Sequence, residues 1–141
     1  MKKEISISLI IIIIVVIADI LTSNITDKKI SDMNNDLDNM REKIVFVKNL
    51  NEKDIEKNNN STYNELILDV KNIKRKWEDN NNILSYYIEH NELEKVGTEI
   101  STLYNYSESN NFEQALDSIS RLEFILDHIS KKYDFELNNF F

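Results

Sequence analysis

The sequence predicts an all-α protein, in which an N-terminal transmembrane helix is followed by an antiparallel bundle of about four helices. One observation is an apolar run from Ile5 to Leu21. A second is that later segments repeat apolar residues every three or four positions, as packed helices do. A third is composition: the 141 residues include no Pro and one Gly, residues that sheets and tight turns need.

The run from Ile5 to Leu21 is predicted to be a membrane anchor. As a helix, its roughly 17 residues span about 25 Å, the short end of what a bilayer core of about 30 Å requires. Lys2 and Lys3 precede the run, which favours a cytoplasmic N terminus and an extracytoplasmic remainder. A cleaved signal peptide is the alternative, because Val16 to Ala18 contains residues that a cleavage site accepts.

We therefore divide the chain into residues 1–21, a transmembrane anchor or signal peptide, and residues 22–141, an extracytoplasmic helical bundle domain at the cell membrane. The chain has no Cys, which excludes disulfides and thiolate metal sites. Its net charge of −8 argues against nucleic acid as a partner and against broad adhesion to anionic lipids.

The first helix after the anchor is predicted from about Ile25 to Asn51, with an extension to Lys57 left open, and it can continue directly from the membrane span. It carries an apolar stripe with the a/d spacing of a coiled coil, formed by Ile30, Met33, Leu37, Met40, Ile44 and Val47. The stripe has two interpretations: a stalk that forms a homo-oligomer, or one helix of an intramolecular bundle.

The second helix is predicted to follow a turn at Asn58–Ser61. Thr62 and Glu65 match a capping box, in which each side chain satisfies a free backbone N–H of the first helical turn. The apolar stripe of this helix includes Trp77 and reaches Ile88.

Two more helices are predicted after turns at His90–Asn91, with Asn91 as the N-cap, and at Ser109–Asn111. The third helix contains Gly97, which costs about 1 kcal/mol relative to Ala, so we expect a close approach by the backbone of a neighbouring helix there. The fourth helix starts at Phe112. Short turns make neighbouring helices antiparallel, which gives the predicted bundle.

Three stretches of the chain together resemble a known family. They are the Ile-rich start after Met1, the segment from Lys76 to Leu93, and the segment from Phe112 to Ile129. The sequence resembles the uncharacterised bacterial family called domain of unknown function 4363 over nearly its whole length. The resemblance implies a short protein with an N-terminal anchor and a helical remainder, and it implies no activity.

Few residues are suited to catalysis or to cofactor binding. Gly97 stands alone, so no glycine-rich phosphate loop is present in the sequence. His90 and His128 lack the Glu-x-x-His spacing from which helical bundles build di-metal sites. We therefore expect no enzyme, no metal and no cofactor.

Candidate interaction residues are Trp77, His90, His128, Phe140 and Phe141. Trp77 lies on an apolar stripe, so a core position is the alternative to a binding platform. Counting along antiparallel helices places Trp77 level with Tyr104. The same counting places both His at the membrane-proximal end, which would make that end sensitive to pH because His titrates near neutrality.

The aromatic C terminus is expected at the same end of the bundle. Phe140 and Phe141 would reach the headgroup region, where aromatic rings are favoured, and would seat the domain on the membrane. The alternative is that Phe135, Leu137 and Phe140 cap the bundle core.

Two functions remain open from the sequence. One is a protein-interaction or structural component of the cell envelope that works through an unknown envelope protein. The other is a helical bundle that senses a small ligand at the membrane surface. A closed apolar core favours the first, and a roomy pocket with convergent polar groups favours the second.

Overall fold

The computed structural model describes residues 2–49 and 52–133, with side chains described over residues 6–49 and 61–133. Within these ranges the chain is helical and contains no strand. The helices are α1 (Lys2–Lys48), α2 (Glu52–Leu84), α3 (His90–Glu108) and α4 (Phe112–Tyr133). The predicted all-α class is confirmed.

α1 is one uninterrupted helix of 47 residues with two different surfaces. From Ile7 to Leu21 its large apolar side chains are all exposed, with exposed fractions between 36% and 60%. From Ser23 onward, one face of the same helix is buried. The N-terminal part of α1 is thus long and apolar enough to cross a membrane, and it continues directly into the packed part, as the sequence allowed.

The packed part of α1 joins the other helices in a closed ring, since each helix contacts the next along the chain and α4 returns to α1. Neighbours are antiparallel. Lys29 of α1 donates to Asn80 of α2 at 2.5 Å, whereas Asp36, further along α1, pairs with Lys76, earlier on α2, at 2.6 Å.

One apolar core fills the centre of this ring. α1 contributes five of the six residues of its predicted stripe, and Val47 packs against the core while partly buried. Burying each such side chain contributes roughly 1.5–3 kcal/mol. The core residues are Ile30, Met33, Leu37, Met40, Ile44, Leu66, Val70, Ile73, Trp77, Leu84, Ile88, Leu93, Val96, Ile100, Leu103, Ala115, Ile119, Leu122, Leu126 and Ile129.

The first turn lies earlier than the sequence predicted. α1 ends at Lys48 and α2 begins at Glu52, so the predicted turn at Asn58–Ser61 and the capping box at Thr62 are wrong. Inside α2, the Ser61 hydroxyl instead lies 3.5 Å from the carboxylate of Glu65. Asn disfavours a helix by less than about 0.7 kcal/mol per residue, so an Asn run without Gly or Pro does not end one.

The second turn is also earlier than predicted. α2 ends at Leu84 and α3 begins at His90, so Ser85–Glu89 forms the turn and Glu89, rather than Asn91, is the N-cap. Ile88 lies in this turn and is 4% exposed, which explains why it follows the apolar stripe of α2 without being helical. The third turn was predicted correctly, and Asn110 there adopts a left-handed conformation with φ of 58°, which Asn tolerates well.

The early second turn changes which residues face each other across α2 and α3. An added Cβ on Gly97 would lie 3.4 Å from Nε1 of Trp77, so the indole packs over this glycine. Tyr104 instead faces Lys71, whose Nζ lies 5.8 Å from the ring centre. The prediction that Trp77 and Tyr104 are level is wrong, because moving a turn by about three residues shifts antiparallel partners by about twice as many. At Gly97 the neighbour that approaches closely is the Trp77 side chain, and not the backbone of α2 as had been expected.

Candidate functional site

A cluster of charged and polar side chains joins the start of α3 to the end of α4. We call it the proximal cluster, and it consists of Glu89, Glu92, His128, Lys132 and Tyr133. Ser130 beside it donates a hydrogen bond to Asp27 of α1 at 2.9 Å. Asp27 lies a few residues after the exposed apolar run of α1, so the cluster is at the end of the bundle nearest that run.

Lys132 bridges the two carboxylates of the proximal cluster. Its Nζ lies 2.9 Å from Oε1 of Glu92 and 3.0 Å from Oε1 of Glu89. Nε2 of His128 is 3.6 Å from the same Glu92 oxygen. The backbone N–H of Glu89 donates to the Tyr133 hydroxyl at 3.0 Å. These contacts fasten the end of α4 to the turn before α3.

The helix ends favour this distribution of charge. Glu92 lies in the first turn of α3, and Lys131 and Lys132 lie in the last turn of α4. Carboxylates are favoured at the positive N-terminal end of a helix, and ammonium groups at the negative C-terminal end. The proximal cluster therefore stabilises two helix termini as well as the contact between them.

Glu92 is the buried member of the cluster, with 7% of its surface exposed. Burial alone would raise the pKa of Glu92, but the hydrogen bond and charge of Lys132, helped by Tyr133 and His128, hold that pKa below its ordinary value. The same pairing with Glu92 and Glu89 raises the pKa of Lys132. Both groups are thus charged across the neutral range.

His90 and His128 lie at the same end of the bundle but pair with different residues. His128 belongs to the proximal cluster, whereas Nε2 of His90 is 3.4 Å from Glu94 on the outer surface of α3. The sequence suggested this shared end. Glu92 and Lys132 were not predicted from the sequence. The signal for them was the acidic residues at the start of α3 together with the Lys residues at the end of α4.

The remaining predicted candidates fall elsewhere. Trp77 is 6% exposed and lies in the core, which is the alternative that its apolar stripe offered. Phe140 and Phe141 lie outside the described residues, as do Phe135 and Leu137. Nothing in the described part of the chain bears on the proposed aromatic seat at the C terminus.

Open grooves lie between neighbouring helices of the described ranges, among them one between α1 and α2 and one between α2 and α3. The groove between α1 and α2 encloses about 590 Å³, and along it Lys43 pairs with Asp69 and Lys76 pairs with Asp36. The groove between α2 and α3, of about 460 Å³, runs along Trp77 and Gly97. Within the described ranges, no group of three or more His, Cys, Asp or Glu is placed to hold a metal ion.

The proximal cluster predicts that acid weakens the bundle. A group whose pKa is depressed in the folded state stabilises that state above its unfolded pKa, about 4.3 for Glu, and loses this contribution as pH falls through the folded value. We expect Glu92→Gln to lower the free energy of unfolding at pH 7, and we expect the difference from wild type to shrink towards pH 3. Urea unfolding at each pH measures it.

The matched control is Glu94→Gln, because Glu94 lies two residues further along α3 and has 65% of its side chain exposed. Exposed ion pairs contribute little, so this variant should follow wild type at every pH. A Glu92→Gln difference that does not vary with pH would contradict the role given to the Glu92 charge.

The fold and the cluster together define a class: an all-α protein whose first helix carries a candidate membrane span and whose remaining helices close a small bundle. The chain belongs to the family described as domain of unknown function (DUF4363), whose model matches residues 20–140. The match covers the packed part of α1 and all later helices, and it supports the family resemblance of the sequence. No curated protein and no solved structure shows significant similarity to the chain.

Proposed function

We propose that this chain is a single-pass membrane protein whose helical domain lies outside the cytoplasm and works by contact with another component of the cell envelope. The observation that carries the proposal is the exposed apolar surface of α1 from Ile7 to Leu21, joined without a break to a bundle with a closed core. Such a surface is stable in lipid and costly in water.

The charges around the span support the orientation. Lys2 and Lys3 precede the apolar run, and positive residues beside a span are retained on the cytoplasmic side. The domain after the span is acidic overall and contains no Cys. Cys stays reduced in the cytoplasm and forms disulfides in oxidising compartments outside it. A small extracytoplasmic domain of this kind relies on helix packing, which the core supplies.

The filled interior of the bundle favours contact with a protein partner over the sensing of a small ligand. Core side chains from all four helices are nearly fully buried, and four of the charged groups that line the groove between α1 and α2 form two ion pairs, Lys43–Asp69 and Lys76–Asp36. Large apolar side chains are instead exposed at the membrane-distal half: Val45 and Phe46 on α1, and Leu68 on α2, beside the Lys43–Asp69 ion pair that joins these helices. A partner on this surface would cover them.

A homo-oligomer through the α1 stripe is a less favourable version of the proposal. Leu37, Met40 and Ile44 of this stripe pack inside the chain's own core. A second copy could reach them only after α2 and α4 had moved away. We therefore place the contact on outward-facing surfaces.

Cysteine labelling tests the topology, because the chain has no Cys of its own. Ser31 is exposed, and we expect Ser31→Cys to react with a membrane-impermeant maleimide in intact cells. A Glu4→Cys control, which keeps Lys2 and Lys3, should react only after lysis, because that position lies on the other side of the membrane in the proposed orientation. Labelling of Ser31→Cys only after lysis would contradict the orientation, and an intact mass that lacks the apolar run would contradict the single-pass anchor.

The same reagent tests the contact. We expect Phe46→Cys to react at least threefold more slowly, relative to Ser31→Cys, in intact cells than in purified protein in detergent, because the partner is present only in cells. An equal ratio in the two samples would show that this surface is uncovered, and it would count against contact at the membrane-distal half.

A further inference from the structure

The turn between α2 and α3 exposes two aromatic side chains next to each other. We call Ser85–Glu89 the tyrosine turn. Tyr86 is 82% exposed and Tyr87 is 43% exposed, with their ring centres 6.3 Å apart. Ile83, one helical turn earlier, is 43% exposed. These three side chains form an exposed patch that neither the bundle core nor the proximal cluster uses.

The tyrosine turn is a fixed part of the bundle. The N–H groups of Tyr87 and Ile88 donate to the carbonyl of Leu84 at 2.9 and 2.8 Å, and the N–H of Glu89 donates to the Tyr133 hydroxyl. Ile88 points into the core, being 4% exposed. The backbone is therefore held from both sides while the two tyrosine rings face away from the core.

The alignment of α1 with α2 gives the distance of this turn, along the helix axis, from the end of the apolar run of α1. Lys29 of α1 contacts Asn80 of α2. Because the helices are antiparallel, this contact places Tyr86 level with about Ser23 of α1, and the Asp36–Lys76 and Lys43–Asp69 ion pairs place it level with about Thr26. These positions lie two to five residues after Leu21, the last residue of the apolar run, which corresponds to about 3–8 Å along a helix axis.

A layer of lipid headgroups about 5–7 Å thick lies on each side of the hydrocarbon core. The tyrosine turn therefore lies between the inner and the outer edge of this layer when α1 spans the bilayer. Tyr is favoured at this depth, since its ring is apolar and its hydroxyl hydrogen-bonds to water and headgroups. Glu89 of this turn is paired with Lys132, but Glu78 and Asp79 precede the turn and the chain carries a net charge of −8, which disfavours anionic lipid and leaves zwitterionic headgroups as the matching surface.

We infer that the tyrosine turn is a second membrane contact, in which Tyr86 and Tyr87 insert among zwitterionic lipid headgroups and hold the bundle upright on the bilayer. This inference rests on the membrane span of the proposed function. It assigns the seating role to a described turn of the chain, on the evidence of exposure, register and continuity with the apolar surface of α1.

The test uses the full chain in phosphatidylcholine vesicles, with a fluorophore on a single introduced Cys. Ser85→Cys places the dye in the tyrosine turn and keeps both Tyr, whereas Asn111→Cys places it in the turn at the far end of the bundle. The quencher is phosphatidylcholine with a nitroxide on its headgroup. We expect the dye at position 85 to be quenched at least twofold more than the dye at position 111.

The role of the rings is tested in the Ser85→Cys chain. Tyr86→Ser with Tyr87→Ser should lower the quenching at least twofold, while Phe124→Ser, which removes an aromatic ring 74% exposed on α4, should leave it unchanged. Equal quenching at positions 85 and 111 would overturn the register. Unchanged quenching in the double Tyr variant would show that the turn lies near the headgroups without insertion of the Tyr rings. This result would also overturn the inference.

A third label separates failure of the inference from failure of the anchor. A dye on Ile12→Cys should be quenched by lipid that carries a nitroxide on its acyl chain. Without that quenching the span itself is wrong and the proposed function fails. With it, the results at position 85 decide the tyrosine turn alone. Circular dichroism of each variant checks that the helices remain formed.

Discussion

Trp77→Ala is expected to lower the free energy of unfolding of the bundle by about 3 to 5 kcal/mol. Trp77 is 6% exposed, belongs to the core stripe of α2 and packs directly over Gly97 of α3. Removing the indole leaves a cavity beside a residue that has no side chain to fill it, so the site cannot collapse easily. Urea unfolding of residues 22–141, followed by circular dichroism, measures the loss.

Phe124→Ala is the matched control, because it also truncates an aromatic ring but at a position 74% exposed. It should change the free energy of unfolding by no more than about 0.5 kcal/mol. A loss below about 1 kcal/mol for Trp77→Ala would place the indole in water and contradict the packing of α2 on α3.

Leu37→Ala is expected to cost about 2 to 5 kcal/mol, with a midpoint of unfolding that does not depend on protein concentration. Leu37 has no exposed surface and lies in the middle of the α1 stripe. The concentration series distinguishes the two interpretations of that stripe, because a stalk held together by a second copy would become more stable as the protein is concentrated.

The control for this series is Asp38→Ala, next to Leu37 on the exposed side of α1. It should unfold like wild type. If the unfolding midpoint of wild type rises steadily with concentration, the α1 stripe is shared between copies and the single-chain core is wrong.

The helices could be predicted from the sequence because their apolar spacing is regular over several turns. Residues such as Leu37 and Val70 recur at intervals that only a helical face satisfies, and both are fully buried. The turns were harder to place. Without Gly or Pro at the reversals, the Asn runs were the strongest local signal, and at Asn58–Asn60 that signal was overridden by the continuing helix.

The proximal cluster could be predicted only in outline. The antiparallel path places the end of α4 beside the start of α3, and this brought His128 to the end that holds His90. The pairing of Lys132 with Glu92 spans 40 positions and depends on the register of the turns. If a turn is misplaced by about three residues, the residues predicted to face each other are wrong by about six positions, which is nearly two helical turns. This error is enough to exchange one partner for another.

In the proposed membrane-anchored state, the uninterrupted course of α1 would make the bilayer and the bundle one mechanical unit. Within the described residues, no break separates the exposed apolar half of this helix from the half that packs in the core. Its apolar run of about 25 Å is shorter than a hydrocarbon layer of about 30 Å, so hydrophobic mismatch draws the bundle down onto the surface, more strongly in thicker membranes. Axial rotation of the span turns all four helices together. In that state, membrane thickness and torque would reach the outer surface of the domain through one continuous helix.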